Sequence, residues 1–202
     1  MRIGSSAIVI DEGLAPDSGS FTRAEFHVYV PDVDAAFERA LAAGATSLGA
    51  PADRPYGERA GFVKDAFGNH WFIAAHRGDS YVPPGLGRLT PFLHAHGTAP
   101  YIDFLKRAFG AVEERRHEIG RGVVRYALLR IGNAAIELGE ADGAEEMPGA
   151  FYLHVGDIDS LYEQAIAAGA KPLSPPAGTK RGDRLATVED PIGNQWLIVR
   201  RP

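Results

Sequence analysis

The phrase EDPIGNQWLIV occupies Glu189–Val199, and a near copy, KDAFGNHWFIA, occupies Lys64–Ala74. In each copy an aspartate (Asp65 or Asp190) stands three residues before a glycine (Gly68 or Gly193). The carboxylate is suited to accept from nearby backbone amides, and the glycine to take positive φ, so the phrase predicts a tight turn into a strand. Working outward, an offset of 125 residues holds without a gap from Val30 to Trp71. It pairs Val30 with Val155, Gly44 with Gly169, Gly57 with Gly182, Arg59 with Arg184 and Trp71 with Trp196. RIGSSAIVIDE at Arg2–Glu12 likewise answers RIGNAAIELGE at Arg130–Glu140. The chain therefore reads as a repeat: a stub (1–12), a full unit (about 21–76), a linker, and two further units (about 88–140 and 148–200).

Each unit has one grammar. AEFHVYV at 24–30 alternates as a half-buried strand should. Asp32 or Asp34 is positioned to cap the helix VDAAFERALAAG, which Gly44 ends; Asp157 or Asp159 and Gly169 repeat the arrangement. The middle helix, around APYIDFLKRAFG, has Thr98, an early Pro100 and Gly110. Shorter strands follow, and the last is HWFIAA or QWLIV, giving β-α-β-β-β. RGDSYVPPGLGR at 77–88 is rich in breakers and reads as a connection. The expected organisation is an incomplete domain at 1–76, a linker at 77–87, and a complete two-unit domain at 88–202.

Composition narrows the function classes. Net charge is −5, from 21 basic against 26 acidic side chains, and the basic residues are scattered rather than striped, so nucleic acid is not an expected partner. Cysteine is absent, which excludes disulfides, thiolate zinc sites and cysteine nucleophiles. No apolar run reaches membrane length, and Asp11, Glu12 and Asp17 interrupt any signal-like segment, so a cytoplasmic protein is expected. No phosphate-binding glycine loop or nucleophile elbow is present; GLGR follows two prolines and opens a strand.

VYVPDVDAAFERALAAGA, YGERAGFVKDAFGNHW with its partner RGDRLATVEDPIGNQW, and LTPFLHAHGTAPYIDFLKRAFGA resemble the vicinal oxygen chelate superfamily of glyoxalase I, bleomycin-resistance proteins and extradiol dioxygenases. They look most like its PhnB-like branch. The resemblance implies an α+β fold in which pairs of βαβββ units form curved mixed sheets around a cleft, with 88–200 supplying such a pair. Residues 1–76 depart from that pattern, as though a first strand, helix and second strand were missing before the stub. One explanation is a start codon inside an ancestral four-unit gene. The expected compensation is a homodimer in which units 21–76 of two chains pair, or a rearranged sheet covering the same edge; disorder of 1–20 is the simpler alternative.

The resemblance also implies metal-ligand positions on first and last strands. Carried over, the first-strand positions are Glu25, Thr90 and Ala150, and the last-strand positions are Val9, Phe72, Glu137 and Leu197. A divalent ion needs three or more converging N or O donors, and neither set offers them. No metal and no cofactor is therefore expected. The inferred cavity face instead carries Thr90, Phe92, His94, Glu137, Tyr152, His154 and Leu197, with a second face of Glu25, His27, Tyr29 and Phe72. Aromatic walls with a few histidines suit a small aromatic or amphipathic ligand, bound for sequestration or resistance. Alternatively, Glu137 with His94 or His154 would do acid–base chemistry in a lyase, dioxygenase or isomerase. A third reading is a structural or regulatory module whose cleft is filled by its own side chains. Arg59 and Arg184 are expected to pair with Asp65 and Asp190 or with backbone carbonyls, and Trp71 and Trp196 to face the helices.

Overall fold

The computed structural model describes residues 1–4, 6–9, 24–120, 122–141, 143 and 147–202. The stub's end at 10–12, and residues 10–20 of any disordered start, lie outside the described residues. Two compact units are present, Met1–Phe92 and Leu93–Pro202. The described elements are β1 (Arg2–Ile3), β2 (Ser6–Ala7), β3 (Glu25–Tyr29), α1 (Val33–Ala42), β4 (Thr46–Asp53), β5 (Glu58–Lys64), β6 (His70–His76), β7 (Leu89–Ala95), α2 (Thr98–Phe109), β8 (Val112–Ile119), β9 (Val123–Ile131), β10 (Ala134–Glu140), β11 (Ala150–His154), α3 (Ile158–Ala168), β12 (Lys171–Gly178), β13 (Arg184–Glu189) and β14 (Gln195–Arg200). The fold is α+β with mixed sheets, and each full repeat is β-α-β-β-β as its grammar predicts.

In the first unit the strand order is β4-β5-β6-β3-β7. β3 runs parallel to β6 and antiparallel to β7, with Phe26 opposite Pro91 and His27 opposite Thr90. The outer edge of β3 is thus occupied by β7 of the same chain. The edge at 21–76 is covered by a rearranged sheet, the alternative to pairing with a second chain. α1 starts at Asp32, whose carboxylate accepts from the Ala35 amide. Its buried stripe is narrow, Val33 and Phe37, and packs on Val63 and Ile73.

In the second unit β7 leads the order β7-β10-β9-β8, while β11-β14-β13-β12 forms a separate sheet. The repeats at 88–140 and 148–200 were expected to curve one sheet around a cleft. Among the described residues their strands lie in separate sheets, and the two repeats meet through their helices, α2 against α3. The reason is visible on α2, where Tyr101, Ile102, Phe104, Leu105, Ala108 and Phe109 are all buried, a stripe too wide for one sheet to cover. At about 1.5–3 kcal/mol for each large apolar side chain buried, that stripe outweighs the cost of ordering a helix–helix contact. One core results, running from Leu129 and Leu138 through Phe104 and Phe109 to Ile158, Trp196 and Ile198. Gln164 of α3 donates to the carbonyls of Arg107 and Ala108, satisfying the C-terminal turn of α2. At the other end, Gly97 rather than Thr98 is the N-cap. Having no side chain to offer, it is replaced in that role by Glu140, whose carboxylate accepts from the Gly97 and Thr98 amides at 2.7 and 3.0 Å. Among the described residues no helix is long and apolar enough to cross a membrane.

Candidate functional site

β3 alternates strictly. Val28 belongs to the α1 side, and Phe26 packs on Trp71 at 5.0 Å, so Glu25, His27 and Tyr29 share the opposite face. Register then fixes their neighbours: His70, Phe72 and Ala74 on β6, Phe62 and Ala60 on β5, and Phe92 and Thr90 on β7. The rings are in contact. His27 stacks on Tyr29 at 4.4 Å and meets Phe72 edge-on at 4.2 Å, and Phe62 meets Phe72 edge-on at the same distance.

Glu58, at the start of β5, closes this cluster. The Tyr29 hydroxyl donates to Glu58 Oε1 at 3.0 Å and lies 3.4 Å from His27 Nδ1, while His27 Nε2 stands 3.6 Å from Glu58 Oε2. His27 and Glu58 are each only 7% exposed. The sequence reading missed Glu58; the available signal was an acidic residue before Arg59 and again, as Asp183, before Arg184. Two buried oxygens on this face, Glu58 Oε2 and Thr90 Oγ1, have no hydrogen-bond partner among the described residues. A buried hydroxyl left this way costs about 1–3 kcal/mol. Part of the face is covered from within the chain: Tyr81, Val82 and Leu86 pack against Tyr29, Ala60 and Ala74. The Arg54 guanidinium lies 5.1 Å over Phe62.

The remaining candidates are dispersed in the second unit. Glu137 on β10 is buried opposite Leu128, and Tyr126 donates to its Oε1 at 2.9 Å. His94, on β7, lines a narrow crevice with Leu93, Met147, Pro148, Ile192 and Asn194. Tyr152 and His154 are exposed on β11, and Leu197, opposite Tyr152, is buried. Glu137 and His154 therefore lie on different sheets, and the seven residues expected to share one face are divided between two sheets, with Thr90, Phe92, His94 and Glu137 on β7 and β10 and Tyr152, His154 and Leu197 on β11 and β14.

The ligand positions that the resemblance implied do not make a metal-binding set. Phe72, Ala150, Leu197 and Val9 supply no ligand atom, and among the described residues no three His, Asp or Glu side chains are grouped to hold an ion. Arg59 and Arg184 pair elsewhere than expected. Arg59 forks onto Asp34 with both bonds at 2.6 Å, and Arg184 forks onto Asp159 at 2.5 and 2.8 Å. These pairings tie strand to helix, and the guanidinium beside each aspartate holds its carboxyl below the usual range. Trp196 is core, and Trp71 packs on the α1 cluster, as expected.

The Glyoxalase/Bleomycin resistance protein/Dioxygenase superfamily matches residues 9–73 and 98–198. An uncharacterised protein of Mycobacterium bovis is 47% identical over 122 residues, covering 54% of this chain and 80% of its own length. A Mycobacterium tuberculosis protein matches equally over 72% of its length. Among solved structures, glyoxalase I from Zea mays aligns with a TM-score of 0.69 at 19% identity, over 89% of this chain and 68% of that one. TioX from Micromonospora sp. ML1 aligns with a TM-score of 0.50 at 23% identity, over 55% of this chain and 95% of its own.

Proposed function

As this chain belongs to the Glyoxalase/Bleomycin resistance protein/Dioxygenase superfamily, whose architecture binds small molecules, we propose that it is a metal-independent binder of a small aromatic or amphipathic molecule. The recognition surface is the ring cluster of His27, Phe62 and Phe72 with Thr90 and Glu58 at its margins. One observation carries this reading: an aromatic wall bordered by two buried oxygens without hydrogen-bond partners. Rings supply stacking area, and an unmet oxygen supplies direction. The motifs resemble the PhnB-like branch most, and a cytoplasmic binder serving sequestration or resistance suits the chain's charge and lack of cysteine.

The test is a thermal-shift screen of planar and amphipathic compounds on full-length protein. A hit should lose at least about tenfold in affinity in Phe72→Ala, where ring contact is removed. Thr90→Val should raise the stability of the free protein by about 1 kcal/mol, because an unsatisfied hydroxyl is replaced by a methyl of similar shape, and should weaken the hit. A stoichiometric metal in purified protein would sink the proposal. The packing of Tyr81, Val82 and Leu86 on the same face favours a second reading, a module whose face is filled by its own linker. A screen without a single stabilising compound would select it.

A further inference from the structure

Two opposite charges on the ring face are neighbours and do not pair. β4 and β5 lie antiparallel with Ala52 opposite Ala60 and Asp53 opposite Arg59, and the Arg54 amide donates to the Glu58 carbonyl at 2.7 Å. Arg54 and Glu58 therefore face each other across the strands, at a separation of about 5 Å between Cβ atoms. An ion pair is the ordinary result of such a placement, and the adjoining pair, Arg59 with Asp53, forms one at 3.3 Å. Arg54 and Glu58 instead turn to the rings. The Arg54 guanidinium lies over Phe62 and donates through Nη2 to the Ala60 carbonyl at 3.3 Å. Glu58 gives Oε1 to the Tyr29 hydroxyl, and His27 Nε2 stops 3.6 Å from Oε2, beyond hydrogen-bond reach.

Each of the two side chains is left with an atom unmet. Arg54 Nε and Glu58 Oε2, like Thr90 Oγ1, are buried without a hydrogen-bond partner among the described residues. A guanidinium only donates and a carboxylate only accepts, while a hydroxyl does either. Thr90 thus accommodates any polar ligand, but Arg54 and Glu58 ask for opposite things. A ligand with acceptors alone leaves Glu58 unmet, and one with donors alone leaves Arg54 unmet. An ion of either sign is drawn to one of them and opposed by the other. The adjoining rings of Phe62 and Phe72 favour a flat body.

Resting on the ring-face reading proposed above, we infer that the ligand is an uncharged arene bearing a carboxamide or lactam. Its N–H donates to Glu58 Oε2 and its carbonyl accepts from Arg54 Nε. Both atoms are closed to solvent in the unliganded chain, so entry lifts Tyr81, Val82 and Leu86 from Ala60 and Ala74.

Three probes share one flat body and differ in what they offer: naphthamide has a donor and an acceptor, naphthoate is an acceptor anion, and naphthylmethylamine is a donor cation. Titrated into full-length protein and followed by their own fluorescence, naphthamide should bind at least about tenfold tighter than either charged probe. With Oε1 held by the Tyr29 hydroxyl, Glu58→Gln should set its amide nitrogen where Oε2 stood, turning an acceptor into a donor. That variant should lose at least about tenfold in affinity for naphthamide and rank naphthoate first. Arg54→Met keeps an apolar stem over Phe62 and removes the donor; it should weaken naphthamide likewise and rank naphthylmethylamine first. The ranking on the unaltered chain decides even where a variant fails to fold. Equal binding of all three probes, or a charged probe ranked first, keeps the ring face as a site and overturns the carboxamide. No binding by any of them overturns the ring-face reading and the carboxamide with it.

Discussion

The two copies of the opening phrase build the same hydrogen-bond network and place it in different surroundings. Asp65 accepts the Phe67 and Asn69 amides on Oδ1 and the Asn69 and Trp71 side chains on Oδ2, all between 2.9 and 3.0 Å. Asp190 repeats each bond with Ile192, Asn194 and Trp196, at 2.8 to 3.0 Å. The second network is then closed by α2, whose Tyr101 hydroxyl donates to Asp190 Oδ2 at 2.7 Å and accepts from Asn194 at 3.1 Å. Asp190 is 4% exposed; Asp65 is half-buried. Burial pushes both carboxyls up. At Asp65 the Trp71, Asn69 and backbone donors outweigh it and the pKa falls below the usual value. At Asp190 burial wins over the same donors plus Tyr101, and the pKa rises. One motif is thus a surface turn in the first unit and a buried clasp in the second. Burial makes the difference, since the local bonds are alike.

Asp190→Asn separates the copies most. The amide nitrogen would confront donors on either side, so a loss of about 2–4 kcal/mol is expected in urea unfolding, against about 1 kcal/mol for Asp65→Asn, where water can rescue the donors. Equal losses would break the comparison. Tyr101→Phe makes the second network match the first in its bonds, and should cost about 1–2 kcal/mol for two buried hydrogen bonds. The pH dependence should differ in sign. Asp65, with a lowered folded pKa, contributes stability that is full above its unfolded pKa near 3.8 and lost as pH falls through the folded value. Asp190, with a raised folded pKa, contributes the reverse: stability rises as pH falls through its folded value and is complete below 3.8. Urea midpoints measured across the acid range in the two Asn variants should therefore shift their slopes in opposite directions. The smallest effect belongs to His70→Gln, which gives the first copy the residue of the second. It removes a 3.6 Å contact with Glu25, and should move stability by less than about 0.5 kcal/mol.

What the sequence made legible was local. The repeat offset, the Asp32 and Asp157 caps, and the turns at Gly68 and Gly193, with φ of 88° and 86°, all depend on residues within a few positions of each other. Which repeat joins which was not legible, because every first strand has the same alternation and any two are compatible in register. The choice is made by the width of the α2 stripe, which draws α3 to it, and by β3 meeting β7. Contacts across elements were missed for the same reason: Arg59 finds Asp34 on α1 and Tyr29 finds Glu58 on β5, pairings that no spacing announces. The candidate site was partly visible. His27, Tyr29 and Phe72 do share a face, but Thr90 joins them rather than Tyr152 or Leu197.

The clasp of Glu140 on the first turn of α2 has a kinetic side. Its carboxylate lies 42 and 43 residues along the chain from the amides it receives, so the helix start is completed only once β10 has docked. Closing a loop of that length is slow beside helix growth, which proceeds in nanoseconds per residue. During refolding, exchange protection at the Gly97 and Thr98 amides should therefore appear with that of the sheet, later than in the middle of their own helix.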